Sequence, residues 1–270
     1  MIGIFDSGIG GLTIAKELLR RGPEYSFVYL GDTARMPYGN RSQELIYAFT
    51  QQAVSYLMAR GCSLVILACN TASSEALRKL QQEWLPKHYP NRRILGVIRP
   101  LAEAAVAESK SGRIGVVGTR GTISSGAYER ELKTLRPDVK IFQQAAPLLV
   151  PLVEEGWQQR PETTRIVRNY LRPLKQQHID TLVLGCTHYP MLQRQFVQAA
   201  GKRVRVIDAP AAVVKKLSDY LQRHPNIDQE LDKTKTRTFL ATDVYPTLEQ
   251  TASRWLGQAV KFERVDIEST

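Results

Sequence analysis

The stretch "TLVLGCTHYP", residues 181–190, is an apolar run of strand composition that stops on a thiol, a hydroxyl, an imidazole and a Tyr-Pro pair. A short apolar run with such an abrupt polar end reads as a buried strand reaching the rim of its sheet. It is not unique in the chain. "LVILACNT", residues 64–71, superposes on it when Cys69 is set on Cys186. Upstream, "IGIFDSG" from Ile2 likewise lines up with "IGVVGTR" from Ile114. The spacing agrees, with 67 residues from Ile2 to Cys69 and 72 from Ile114 to Cys186. Each half then closes on a similar run, "VIRP" at Val97 and "VIDAP" at Val206. A repeat of this length implies one supersecondary plan used twice.

Working outward, strand-like runs at 2–6, 27–31, 64–69, 94–98, 114–118, 140–144, 182–186 and 204–208 alternate with helical patterns. That alternation is the mark of parallel sheets covered by helices. The expected fold class is α/β, with two pseudo-symmetric doubly wound domains facing each other across a central cleft, one about 1–98 and the other 99–208. Residues 209–270 add a helix (211–222), a strand (238–242), a helix (245–256) and a last strand (261–265). In such sheets the ligand crevice lies beyond the carboxyl ends of the strands. Asp6 and Ser7, Asp32, Cys69 to Thr71, Thr119 and Cys186 to His188 all fall at such ends, so two equivalent cysteines are expected to look into one cleft.

Composition narrows the function classes. A chain of 270 residues with 43% apolar content can fill real cores. No run of about 18 uncharged apolar residues occurs, and the chain goes straight into "MIGIFDSGIGG" without a basic leader, so a soluble, cytoplasmic protein with no membrane partner is expected. Three cysteines, an odd number, argue against a disulfide framework and for free thiols. The net charge of +11 is spread over short clusters such as "NRRI", "GKRVR" and "DKTKTR", with no nucleic-acid fold signature around them. A solvated surface that attracts anionic small molecules is favoured over a nucleic-acid partner.

Several chemistries compete for the cleft. "FDSGIGGLT", residues 5–13, is Gly-rich after a strand, but it matches neither G-x-G-x-x-G nor G-K-[ST], and Asp6 would repel a phosphate. A capped turn, or backbone donors for a carboxylate with Asp6 facing an ammonium or a thiol, fits better. A metal site is not expected, because the cysteines and histidines lack tight ligand pairs. A single cysteine would read as a small apolar filler, as Cys62 does, or with His188 as a nucleophile. Two at equivalent positions point elsewhere. A thiol is an acid and its thiolate a base, so thiols on opposite faces of a tetrahedral carbon can remove a proton from one face and deliver one to the other. That is stereoinversion, and it needs no metal. Asn70, Thr71, Thr119, Thr122 and Thr187 are donors for the negative charge that develops on a substrate carboxylate.

Six ordered motifs, "FDSGIGGLT", "GDTARMPYGNRS", "LVILACNTAS", "GVVGTRGTISSGAYER", "PLVPLVEEG" and "LVLGCTHYPML", make the chain similar over nearly its whole length to the bacterial glutamate racemases, within the cofactor-independent aspartate/glutamate racemase group. The resemblance implies interconversion of L- and D-glutamate without a cofactor, supplying D-glutamate for peptidoglycan. It implies Cys69 as the base for D-glutamate, assisted by Asp6, and Cys186 as the base for L-glutamate, assisted by His188 and Glu154. Ser7, Pro37, Tyr38 and Gly39 resemble the pocket for the side-chain carboxylate. Asn70, Thr71, Thr119, Thr122 and Thr187 resemble the contacts to the α-carboxylate and ammonium. It also implies that 209–270 returns to the first domain, 1–98, and that the protein is a homodimer. The same scaffold could serve aspartate or another amino acid, since one methylene discriminates by only about 1–3 kcal/mol. One departure is Leu101 in "RPLAEAA", where the family often has a small residue, at the crossover between halves. No long N-terminal extension like that of members activated by a cell-wall precursor is present, so no such activation is expected.

Overall fold

The computed structural model describes residues 1–268. Among the described residues, ten strands form two all-parallel sheets. The first contains β1 (Ile2–Asp6), β2 (Phe27–Gly31), β3 (Leu64–Leu67), β4 (Arg93–Gly96), β9 (Arg237–Ala241) and β10 (Glu263–Arg264), in the order β10-β9-β2-β1-β3-β4. The second contains β5 (Arg113–Gly118), β6 (Lys140–Ala145), β7 (Thr181–Gly185) and β8 (Arg205–Val206), in the order β6-β5-β7-β8.

The repeat in the sequence is thus a repeat of topology. Each half runs outward from its first strand to its second, then returns across the first to its third and fourth. In both halves the reversal of strand order falls between the first strand and the third. This is the switch point where doubly wound sheets open a crevice. The central strands are apolar on both faces because helices cover both sides: β1, β2, β3 and β7 are buried at every residue. The tail completes the first sheet, with β9 pairing along β2 from Phe27↔Arg237 to Gly31↔Ala241.

Several elements stop earlier than their apolar runs do. β3 ends at Leu67 and β7 at Gly185, because Cys69 already caps the helix Asn70–Glu75 and Cys186 begins the turn into the 3-10 helix Tyr189–Leu192. β4 ends at Gly96, and Val97 caps the helix Ile98–Glu108, in which Leu101 is buried. β8 is only Arg205–Val206, since Asp208 accepts from the Ala211 amide and starts the helix Ala209–Arg223. At the sheet edge β10 shrinks to Glu263–Arg264, and a short helix Pro225–Glu230 precedes β9.

Candidate active site

Register places the polar rim. Asp6 is the last residue of β1, paired with Gly31, and β3 alongside ends at Leu67, so Cys69 emerges next to Asp6 and Ser7. In the other sheet Gly118 pairs with Gly185, which sets Thr119 beside Cys186. The two rims meet around one small cavity of ≈ 40 Å³ lined by both thiols. Ser7, Pro37, Tyr38, Gly39, Asn70 and Thr71 wall it from the first half, and Thr119, Glu154, Thr187 and His188 from the second. Larger clefts exist, one of ≈ 540 Å³ between Leu77, Arg99 and Lys216. Neither thiol reaches that cleft, and ion pairs such as Arg99–Glu131 occupy its polar groups. Convergence of ionisable groups, rather than size, marks the small cavity as the site.

The surroundings of the two sulfurs differ. Cys69 Sγ accepts from the Ala72 amide at 3.5 Å and lies 3.3 Å from Ser7 Oγ. Burial, and then the Asp6 carboxylate, push its thiol up to about 12 against the bond to Ser7. Asp6 is fully buried and lies behind the cavity wall, accepting from the Gly8 amide at 3.1 Å and from Thr187 Oγ1 at 3.2 Å. Burial raises its carboxyl above the usual range, with His188 and these donors pulling the other way. Cys186 Sγ instead has His188 Nδ1 at 4.0 Å, the outer limit for a bond to sulfur. Nε2 of the same ring is 3.1 Å from Glu154 Oε1, and the indole of Trp255 meets the ring edge-on at 5.6 Å. Burial works against charge on His188, yet Cys186 and Glu154 outweigh it and push the imidazole up to about 10. The neighbouring Glu155 points to solvent.

The hydroxyls form a cluster across the two halves. Thr71 Oγ1 lies 3.0 Å from Thr119 Oγ1 and 3.2 Å from Thr122 Oγ1, and Thr119 and Thr122 are themselves 3.0 Å apart. Thr122 is fully buried behind this pair rather than on the cavity wall. Gly10 permits the close approach of the halves on the other side. A Cβ there would fall 2.4 Å from Thr187 Oγ1 and 2.5 Å from His188 Nδ1.

Gly8, Met36 and Val150 also line the cavity without chemical character that a sequence could flag. Behind the wall, Tyr38 donates its hydroxyl to Asp32, which also accepts from Arg35 Nε at 2.7 Å and Thr242 Oγ1 at 2.9 Å. Asp32 thereby ties the segment carrying Pro37, Tyr38 and Gly39 to the end of β9. Its position at a strand end is the one local sign of that role.

The arrangement offers one proton-carrying sulfur from each half, each with its own ionisable neighbour, and hydroxyl and amide groups between them. Residues 13–217 match the family model described as Asp/Glu/hydantoin racemase. Among curated relatives, the glutamate racemase of Syntrophus aciditrophicus is 41% identical over 268 residues, 98% of this chain and 96% of that protein. That of Geobacter metallireducens is 39% identical over 257 residues, covering 95% and 92%. A crystal structure of a glutamate racemase isoform from Bacillus anthracis superposes with a TM-score of 0.90 at 37% identity, covering 98% of this chain and 97% of that one. One from Francisella tularensis in complex with D-glutamate gives 0.89 at 29% identity, covering 100% and 98%.

Proposed function

The chain belongs to the Asp/Glu/hydantoin racemase family, and from that premise we propose that it interconverts L- and D-glutamate by proton transfer between two cysteines. The observation that carries the reading is that Cys69 and Cys186, at equivalent positions of two sheets that share a four-strand order, line the same cavity. Glutamate as the substrate is supported by the relatives that share about two-fifths of this sequence over nearly its full length.

With L-glutamate bound, Cys186 as thiolate takes the α-proton, and the electron pair of the broken C–H bond spreads into the α-carboxylate. Cys69, kept as a thiol by burial and by Asp6, gives its proton to the opposite face of the same carbon. D-glutamate leaves with Cys186 protonated and Cys69 ionised, and proton exchange restores the starting state. The reverse direction starts from the Cys69 thiolate. No bond is oxidised and no group transferred, so proton bookkeeping needs no cofactor. Thr71, Thr119, Thr187 and the Asn70 amide supply donors where charge builds up. Ser7, Pro37, Tyr38 and Gly39 would receive the side-chain carboxylate. Asp6 serves Cys69, and His188 with Glu154 serves Cys186, the imidazolium placing a positive charge beside the second sulfur.

The family resemblance supports three further assignments: a homodimer, a cytoplasmic location, and supply of D-glutamate to peptidoglycan synthesis. Among the described residues no helix is long and apolar enough to cross a membrane. Cys69→Ala and Cys186→Ala test the mechanism. Each should lower racemisation of either enantiomer by about 10³-fold or more, followed as loss of optical rotation. A variant that keeps near-native turnover removes its thiol from the reaction.

A further inference from the structure

Asn70 is the first residue of the helix Asn70–Glu75, and among the described residues its amide is the one carboxamide on the cavity wall. Such a group can present either a donor or an acceptor to a ligand, depending on which way it is turned. Its orientation here is set from the other half of the molecule. Tyr128, in the helix Ala127–Leu135 between β5 and β6, is fully buried, and its hydroxyl donates to Asn70 Oδ1 at 2.6 Å.

The direction of this bond follows from the surroundings. Among the described residues, the Tyr128 hydroxyl has no other hydrogen-bond partner. Were it to accept from the amide, its own proton would be buried without an acceptor, which native interiors avoid. Burial also holds the phenol well above its ordinary value, so it remains protonated and able to donate. With Oδ1 committed to Tyr128, the Nδ2 amide group is the end left for the cavity.

We propose that Tyr128 is a positioning residue for substrate binding, holding the Asn70 amide so that Nδ2 donates to a carboxylate oxygen of the amino acid. This rests on the racemase reading above and adds a residue to it. Tyr128 and Asn70 belong to helices of different halves, so the donor is oriented only while the two halves are apposed. Orientation of the amide and closure of the site are therefore one event. The aromatic ring packs against Gly185, where a Cβ would come within 3.0 Å of Tyr128 Cε2, so a phenylalanine can keep the packing while losing the donor.

The test is a double-mutant cycle on the full chain, with glutamate as the varied substrate. Wild-type turnover is measured first; its absence would overturn the racemase reading rather than this one. Given turnover, Tyr128→Phe should raise KM about tenfold, the worth of one hydrogen bond to a charged group, and lower kcat as well because the Asn70 amide also faces the charge that builds up. In an Asn70→Ala background the same change should have no further effect on KM. An unchanged KM in Tyr128→Phe, or the same multiplicative rise with and without Asn70, would overturn the assignment. Asn70→Asp provides a second arm that leaves the phenol in place. Its carboxylate can still accept from Tyr128 but offers the cavity an anionic acceptor, so KM should rise more than tenfold. Unimpaired binding in that variant would equally overturn it.

Discussion

Opposite charges flank the two sulfurs, a carboxylate beside Cys69 and an imidazole beside Cys186. His188 is pushed up to about 10 from an ordinary 6.5 by its contacts with Cys186 and Glu154, despite burial. Because its folded value is raised, its contribution to stability is fully present below about 6.5 and is lost as pH rises through about 10. Activity that relies on the imidazolium should fall over the same alkaline range. Glu154→Gln removes one of the partners that hold the charge, so the alkaline limb of the kcat/KM profile should move to lower pH and kcat fall about 10- to 100-fold. An alkaline limb unmoved by the substitution would separate His188 from Glu154 in function. Cys69, Asn70, Thr71, Cys186, Thr187 and His188 are legible as candidates in the sequence because each directly follows an apolar run that stops abruptly. Tyr128 is not legible as a support, and Asp32 only by its place at a strand end. The partner of Tyr128 is 58 residues away, and the bond between Asp32 and Thr242 spans 210, distances across which no local pattern operates.

Single elements depend on polar anchors at the opposite end of the strands from the site. Asp180 precedes β7 and accepts from Ser109 Oγ at 2.6 Å, the Ser111 amide at 2.6 Å, Ser111 Oγ at 2.8 Å and Thr181 Oγ1 at 3.0 Å. Although burial opposes it, these donors pull its carboxyl down to about 2. A lowered carboxyl stabilises the fold above its ordinary 3.8, and that contribution is lost as pH falls through about 2. Asp180→Ala should cost about 2 kcal/mol at neutral pH, read as a lower urea midpoint, because it strands the donors of the turn that aligns β5 with β7. A midpoint within error of wild type would show that water replaces the carboxylate there. The central strands β1, β2, β3 and β7 are legible because buried parallel strands are continuous apolar runs. Strand ends are less so. Val97 and Ile98 are as apolar as the residues of β4, yet they turn into a helix, because the chain must leave the first sheet for the second. Composition alone does not distinguish an apolar residue that pairs in a sheet from one that caps a helix against it.

Across the whole molecule, the matched orders β2-β1-β3-β4 and β6-β5-β7-β8 set the site between two halves of one plan. Each half contributes one thiol from after its third strand, and apposing the halves brings these two equivalent residues to one cavity. The parallel between "LVILACNT" and "TLVLGCTH" makes this legible without coordinates, since equal positions in a repeat occupy equal places in the fold. What the sequence does not reveal is how tightly the halves close. Contacts such as Thr71 with Thr119 and Thr187 with Asp6 join the halves around the cavity. The central claim is that one thiol removes the α-proton and the other replaces it from the opposite face. Its most direct test is to react each pure glutamate enantiomer in deuterated water and follow deuterium separately in product and in recovered substrate during early turnover. Two opposed bases predict that the inverted product carries solvent deuterium at Cα while the recovered substrate enantiomer remains protiated. Deuterium appearing as fast in the recovered substrate as in the product, or in neither, would contradict the two-thiol account.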